Sequence, residues 1–123
     1  TFSSKQFIGK QSLLVFFGTY CPDCKQVLPV IEEVWKELKD DPRFLLVTIS
    51  RKETAEVVSN YWKENQFTMP FYLDTRGEVF SLFANNTIPR IYIINPDNEV
   101  VWMAVESLDI SAKELIQKIK GLK

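Results

Sequence analysis

Ser12-Leu-Leu-Val-Phe-Phe-Gly18 runs directly into Thr19-Tyr-Cys21-Pro-Asp-Cys24-Lys25, and the reading of this stretch decides the fold. Its first half is a continuous apolar run, the pattern of a buried strand at Leu13 to Phe17. Beyond it, Val27, Leu28, Ile31, Val34, Trp35 and Leu38 recur at helical spacing among Lys, Glu and Gln, which predicts a helix with one buried stripe. Cys21 and Cys24 are the only cysteines in the chain. A strand that delivers a CxxC to the first turn of a helix sets the first sulfur beside unpaired backbone N–H groups and the positive end of the helix dipole, both of which favour a thiolate. Pro22 suits the first helical position, where its missing N–H costs nothing.

Working outward, Asp40-Asp-Pro42 ends the helix and Phe44-Leu-Leu-Val-Thr-Ile49 reads as a second buried strand. A helix of that length is a crossover connection, so the two strands pair in parallel. Ser50-Arg-Lys-Glu53 has the form of a capping box and predicts a second helix to about Asn65, with Val57, Val58, Tyr61 and Trp62 on its inner face. Phe67 to Leu73 reads as a short extended piece, Asp74-Thr-Arg-Gly77 as a turn, and Val79 to Phe83 as helix-like. Arg90-Ile-Tyr-Ile-Ile94, the turn Asn95-Pro-Asp-Asn98 and Glu99 to Val105 form a β-hairpin pattern. A second capping box, Ser111-Ala-Lys-Glu114, opens a C-terminal amphipathic helix carrying Leu115, Ile116, Ile119 and Leu122. Repeats, linkers and low-complexity segments are absent from the sequence. The order is βαβ, a further helix, a hairpin and a closing helix.

Composition narrows the chemistry. The 123 residues are 46% hydrophobic, enough for one core and too few for two ordinary domains, so residues 1–123 read as one domain. Fifteen basic and sixteen acidic residues leave a formal charge of -1, which gives nucleic acid no electrostatic footprint to bind. No apolar run reaches the roughly 18 residues of a membrane span, and the first residues lack a signal-peptide pattern. Histidine is absent, which removes any Cys-His catalytic pair and leaves a zinc site short of ligands.

Phe16-Phe-Gly-Thr-Tyr-Cys-Pro-Asp-Cys-Lys25 resembles the FWATWCxPC(K/R) segment of thioredoxin-like proteins. Thr87-Ile-Pro-Arg90, followed by Ile-Tyr-Ile-Ile-Asn-Pro-Asp97, resembles the family's cis-proline loop and the hairpin strand after it. Together they imply a thioredoxin fold: an α/β architecture with a central mixed β-sheet flanked by helices and the CxxC at the N-terminus of the first long helix. Phe71-Tyr-Leu-Asp74 and Ile93-Ile-Asn-Pro-Asp97 are most similar to the TlpA/ResA-like branch of extracytoplasmic thiol-disulfide oxidoreductases. The N-terminal β-hairpin of that branch is missing, which implies residues excised from a longer chain. Tyr20 stands where the family usually has Trp, and Val15 where thioredoxins carry a buried Asp. Some proteins of the branch use a Glu after the second strand instead, and counting back from Met69-Pro70 places Glu53 at that position.

The resemblance implies a protein disulfide exchanger whose only redox group is the Cys21–Cys24 pair, with no added cofactor or metal. In it Cys21 attacks, Cys24 resolves the mixed disulfide, Glu53 serves the Cys24 proton, and a cis Ile88-Pro89 peptide packs beside the sulfurs. Tyr20, Pro22, Asp23, Thr87 and Ile88 would meet the substrate, with the backbone of Ile88 pairing to it as an added strand. Asp23 sets negative charge beside the thiolate, which favours a reductase over a strong oxidant. Partners are then a protein with a disulfide or thiols and an unidentified redox partner, in a periplasmic or membrane-anchored bacterial setting. Other readings stay open at this point. The cysteines could be a structural pair, Glu53 a helix cap, and the whole a non-catalytic thioredoxin-like interaction domain. A peroxiredoxin's PxxxTxxC pattern would need Pro and Thr where this chain has Leu14 and Gly18.

Overall fold

The computed structural model describes residues 9–51, 53–74, 90–105 and 111–121. In chain order these form β1 (Gln11–Phe17), α1 (Pro22–Leu38), β2 (Phe44–Arg51), α2 (Ala55–Asn65), β3 (Tyr72–Asp74), β4 (Arg90–Ile94), β5 (Val100–Val105) and α3 (Ala112–Lys120). The strands make one mixed sheet in the order β3-β2-β1-β4-β5. β1 pairs in parallel with β2, and β2 with β3, while β4 runs antiparallel to both β1 and β5. This is the thioredoxin-like fold that the CxxC segment implied. The turn at 75–77, the helix-like stretch at 79–83 and the proline loop at 87–89 lie outside the described residues.

β1 is the central strand, and every residue in it is buried. Because side chains alternate across a sheet, Leu13, Val15 and Phe17 face one side and Leu14 and Phe16 the other. The first set packs with Val27, Leu28, Ile31 and Val34 of α1, Val58 and Trp62 of α2, and Leu115 and Ile119 of α3. Leu28 is fully enclosed there, so truncating it to Ala costs about 2–5 kcal/mol. Leu14 and Phe16 join Val47, Ile49, Tyr92 and Ile94 in a second buried cluster. A strand buried on both faces explains the unbroken apolar run in the sequence.

Three local readings change in detail. The cap of α2 is Thr54, whose hydroxyl accepts from the Val57 N–H, while Ser50 remains in β2. Ser50-Arg-Lys-Glu53 is therefore no capping box; Ser50 Oγ donates to Glu53 Oε1 at 2.7 Å from within the strand. Val57, read as inward-facing, is 46% exposed, since Val58 and Trp62 take the buried face. Phe67 to Leu73 becomes strand only from Tyr72 onward, because the backbone N–H groups of Thr68 and Met69 are drawn instead to the buried Glu32 carboxylate on α1, each at 2.9 Å. At α3 the predicted Ser111 cap is present, accepting from the Glu114 N–H at 3.2 Å.

The β4–β5 connection follows its sequence signals. Asn95 Oδ1 accepts from the backbone N–H groups of Asp97 and Glu99, and Asn98 takes the left-handed conformation that Asn tolerates, with φ 66°.

Candidate functional site

The site begins where β1 stops. The Cys21 N–H donates to the Gly18 carbonyl at 3.1 Å, folding Thr19 and Tyr20 into a turn that carries the chain from the end of β1 to the helix. Cys21 is the N-cap of α1, with extended backbone, and Pro22 follows as the first helical residue. The Cys21 Sγ accepts from the Cys24 backbone N–H at 3.3 Å. That N–H is one of the helix's first four donors, which have no intrahelical partner. A sulfur in the cap position is thus held by a backbone donor at the start of a 17-residue helix.

Both cysteines are present as thiols. Cys21 is 7% exposed and Cys24 fully enclosed, so of the two sulfurs Cys21 belongs to the residue that reaches the surface. Tyr20 is 59% exposed and Pro22 is exposed, and they form the outer rim. Asp23 lies in the first turn of α1, its side chain outside those described. Thr87, Ile88 and Pro89 are likewise outside the described residues, and with them the expected cis peptide.

Glu53 is buried two residues beyond β2, and both of its carboxylate oxygens accept hydrogen bonds. Oε1 accepts from the Thr19 backbone N–H at 2.8 Å and from Ser50 Oγ at 2.7 Å, while Oε2 accepts from the Thr19 hydroxyl. The carboxylate therefore fixes the turn two residues ahead of Cys21. Its sequence reading as the cap of α2 gives way to this bond set, because Thr54 does the capping. Thr19, which completes the clamp, was not singled out from the sequence, since a Thr directly before Tyr20 carries no distinctive pattern; Ser50 was, but as the start of a capping box and not as a donor to Glu53.

Tyr61 is the residue that sequence reading assigned to the core and the structure brings to the thiols. Half-buried on α2, it packs against the cluster that contains Cys21 and Cys24. Burial pushes its phenol above the usual tyrosine range, and the negative charges of Cys24 and then Cys21 push it further the same way. Its ring neighbours are Trp62 and Phe67, with centroids 6.1 Å away in each case. Trp62 in turn stacks 5.1 Å from Phe17 and donates its indole N–H to the Met69 carbonyl at 2.8 Å, tying α2 to the end of β1. The signal for Tyr61 was its spacing four residues from Val57, on the flank of the buried stripe rather than at its centre.

Among the described residues no three His, Cys, Asp or Glu side chains are placed to hold a metal ion, and no helix is long and apolar enough to cross a membrane.

A family model described as thioredoxin-like matches residues 9–100. The chain belongs to that thioredoxin-like family. Among its relatives, sporulation thiol-disulfide oxidoreductase A of Bacillus subtilis is 28% identical over 94 residues, covering 75% of this chain and 57% of that protein. The thiol-disulfide oxidoreductase ResA of Oceanobacillus iheyensis is 32% identical over 106 residues, covering 86% of this chain and 55% of that protein. The thioredoxin-like chain thus spans little more than half the length of these curated relatives. The crystal structure of StoA from Bacillus subtilis superposes with a TM-score of 0.77 at 26% identity, covering 89% of this chain and 82% of that one. A thiol:disulfide interchange protein of the thioredoxin family from Chlorobium tepidum gives 0.81 at 26% identity, covering 97% and 83%. These names match the ResA-like branch of the thioredoxin-like family that the sequence resembles.

Proposed function

We propose that this domain is a thiol-disulfide oxidoreductase that reduces disulfides in protein substrates through Cys21 and Cys24. The observation that carries the reading is the hydrogen bond from the Cys24 N–H to the Cys21 Sγ at the start of α1. In the first step the Cys21 thiolate attacks one sulfur of a substrate disulfide; that S–S bond breaks, a mixed disulfide forms, and the leaving substrate thiolate takes a proton. In the second, Cys24 loses its proton and attacks the Cys21 sulfur, releasing the second substrate thiolate. The substrate gains two electrons and two protons, and the domain is left with a Cys21–Cys24 disulfide that a dithiol redox partner must reduce.

Within this scheme Glu53 holds the turn before Cys21 and serves the Cys24 proton, and Tyr20, Pro22 and Asp23, with Thr87, Ile88 and Pro89, border the substrate. Asp23 supports a reducing direction: an acid between the two cysteines opposes the thiolate, and a strong oxidant needs a stabilised reduced form. The domain's work lies outside the cytoplasm, as periplasmic or membrane-anchored bacterial protein, a setting supported by the persistence of protein disulfides there and by the resemblance to extracytoplasmic exchangers. Insulin reduction with a dithiol donor tests the activity. Turnover above the donor alone, lost in Cys21→Ser, is expected; a folded domain with no turnover would be an interaction module instead.

A further inference from the structure

Phe17 and Ser50 are the last register partners of β1 and β2. Beyond that pair the Thr19 N–H donates to a side chain, Glu53 Oε1 at 2.8 Å, and the Thr19 hydroxyl donates to Oε2 of the same carboxylate. One residue is thus gripped at its backbone and at its side chain by the two oxygens of one buried acid. Thr19 is also the first central residue of the turn that the Cys21 N–H closes on the Gly18 carbonyl, and Cys21 caps α1 with its Sγ on the Cys24 N–H. The grip therefore acts on the stretch of chain that sets how Cys21 enters the helix.

The hydroxyl is the half of this grip that a backbone turn does not itself supply. Ser50 Oγ shares Oε1 with the Thr19 N–H, whereas among the described residues the Thr19 hydroxyl is the one donor to Oε2. Without it a carboxylate oxygen in a poorly hydrated site loses its partner, and the carboxylate turns toward whatever donor or water it can reach. That movement takes Oε1 off the Thr19 N–H and frees the turn. The same device recurs at Thr68, which gives its N–H and its hydroxyl to the two oxygens of Glu32, at 2.9 and 2.6 Å, but no cysteine follows Thr68 in the chain.

We propose that Thr19 is a positioning residue for Cys21, its hydroxyl locking the turn so that the Cys21 sulfur is presented in one orientation for attack on a substrate disulfide. The inference rests on the thiol-exchange reading above and adds to it a residue that acts through Glu53 and the turn. Misplacing a reacting group by about 1 Å can cost on the order of 100-fold in rate, so a loosened turn is read directly in the rate at which Cys21 forms a mixed disulfide.

That rate is measured in a Cys24→Ser background, where Cys21 is the sole thiol, with a small aromatic disulfide whose released thiol is coloured. The Cys21 sulfur attacks one reagent sulfur, the reagent S–S bond breaks, a mixed disulfide forms and one aromatic thiolate leaves. Each rate is divided by that of the same protein unfolded in urea. Thr19→Val, which keeps the branched shape and the N–H, should slow the folded protein about tenfold, inside the range that misplacement sets. Thr19→Ser, which restores the hydroxyl, should return the parent rate. Thr68→Val loses the equivalent bond to Glu32 and controls for general loosening; its rate should equal the parent's. If Thr19→Val does not fold, Ser50→Ala removes the other hydroxyl from Glu53 and should give a smaller loss, with an unchanged rate counting against the proposal. An unchanged rate in folded Thr19→Val, no recovery in Thr19→Ser, or an equal loss in Thr68→Val overturns the positioning role alone. A folded parent whose Cys21 attacks no disulfide defeats the oxidoreductase reading, and the inference with it.

Discussion

Glu53 and Thr19 lie 34 residues apart in the chain, yet the Glu53 carboxylate holds both the backbone N–H and the hydroxyl of Thr19. With Ser50 Oγ as a third donor, one buried side chain joins the end of β2 to the turn that presents Cys21.

Glu53→Ala should therefore destabilise the domain by about 2–4 kcal/mol, since it strands donors that lose their acceptor in a poorly hydrated site. Glu53→Gln, which keeps one acceptor oxygen, should cost less. Urea unfolding measures both. The same Gln variant separates clamp from proton carrier: if Glu53 serves Cys24, the pH profile of mixed-disulfide resolution changes, and an unchanged profile leaves only the clamp.

Glu32, on α1, has the equivalent structural role for the segment before β3. It is buried, and its carboxylate accepts from Thr68 N at 2.9 Å, Thr68 Oγ1 at 2.6 Å and Met69 N at 2.9 Å. Glu32→Ala should cost about 2–4 kcal/mol in urea unfolding, with Glu32→Gln intermediate. Equal stability of Glu32→Ala and the parent would mean that water replaces the carboxylate at no loss.

Tyr61 should titrate above the ordinary tyrosine value of 10.0 in the dithiol protein, because of burial first and the charges of Cys24 and Cys21 second. Oxidation to the disulfide removes those two charges, so the Tyr61 pKa should fall while burial keeps it raised. The difference between wild-type and Tyr61→Phe in the tyrosinate absorbance isolates it from the other three tyrosines. A phenol whose pKa is raised on folding favours the folded state while protonated: its contribution is fully present below pH 10.0 and is lost as pH rises through the folded-state pKa. Alkaline unfolding should accordingly be shallower in Tyr61→Phe.

The proposed reducing direction of exchange can be tested at Asp23. With an acid and no base between the cysteines, the couple should sit nearer to the thioredoxin potential of about -270 mV than to the DsbA value of about -120 mV. Asp23→His should raise it, each 30 mV corresponding to roughly 1.4 kcal/mol. Equilibration with glutathione or dithiothreitol buffers gives the number. A wild-type potential above about -180 mV would make the domain an isomerase or oxidant.

Sequence legibility followed the range of the interactions. β1, α1, the β4–β5 hairpin and the Ser111 cap could be read because each is set by periodicity or by a neighbour within a few positions. The cap of α2 was misread because Ser50-Arg-Lys-Glu53 and Thr54 compete locally, and the decision is made by Thr19, far away in sequence, which claims the Glu53 carboxylate. Thr68 and Met69 left the strand pattern for the same reason, drawn to Glu32 from across 36 and 37 positions. The cysteine pair was legible from its strand and helix context. Tyr61 was not, since an aromatic flanking a buried stripe looks the same whether it borders solvent or a thiol.

Disulfide exchange by this domain turns on which sulfur attacks. Cys24→Ser and Cys21→Ser proteins, each incubated with a disulfide-bonded protein such as insulin and quenched with acid, are to be compared by intact mass without reduction. Cys24→Ser should accumulate a mixed disulfide through Cys21, whose sulfur is the one capped by a backbone N–H, and Cys21→Ser should accumulate none. Equal trapping by the two variants, or trapping by neither, would contradict the assignment of Cys21 as the nucleophile of a disulfide exchanger.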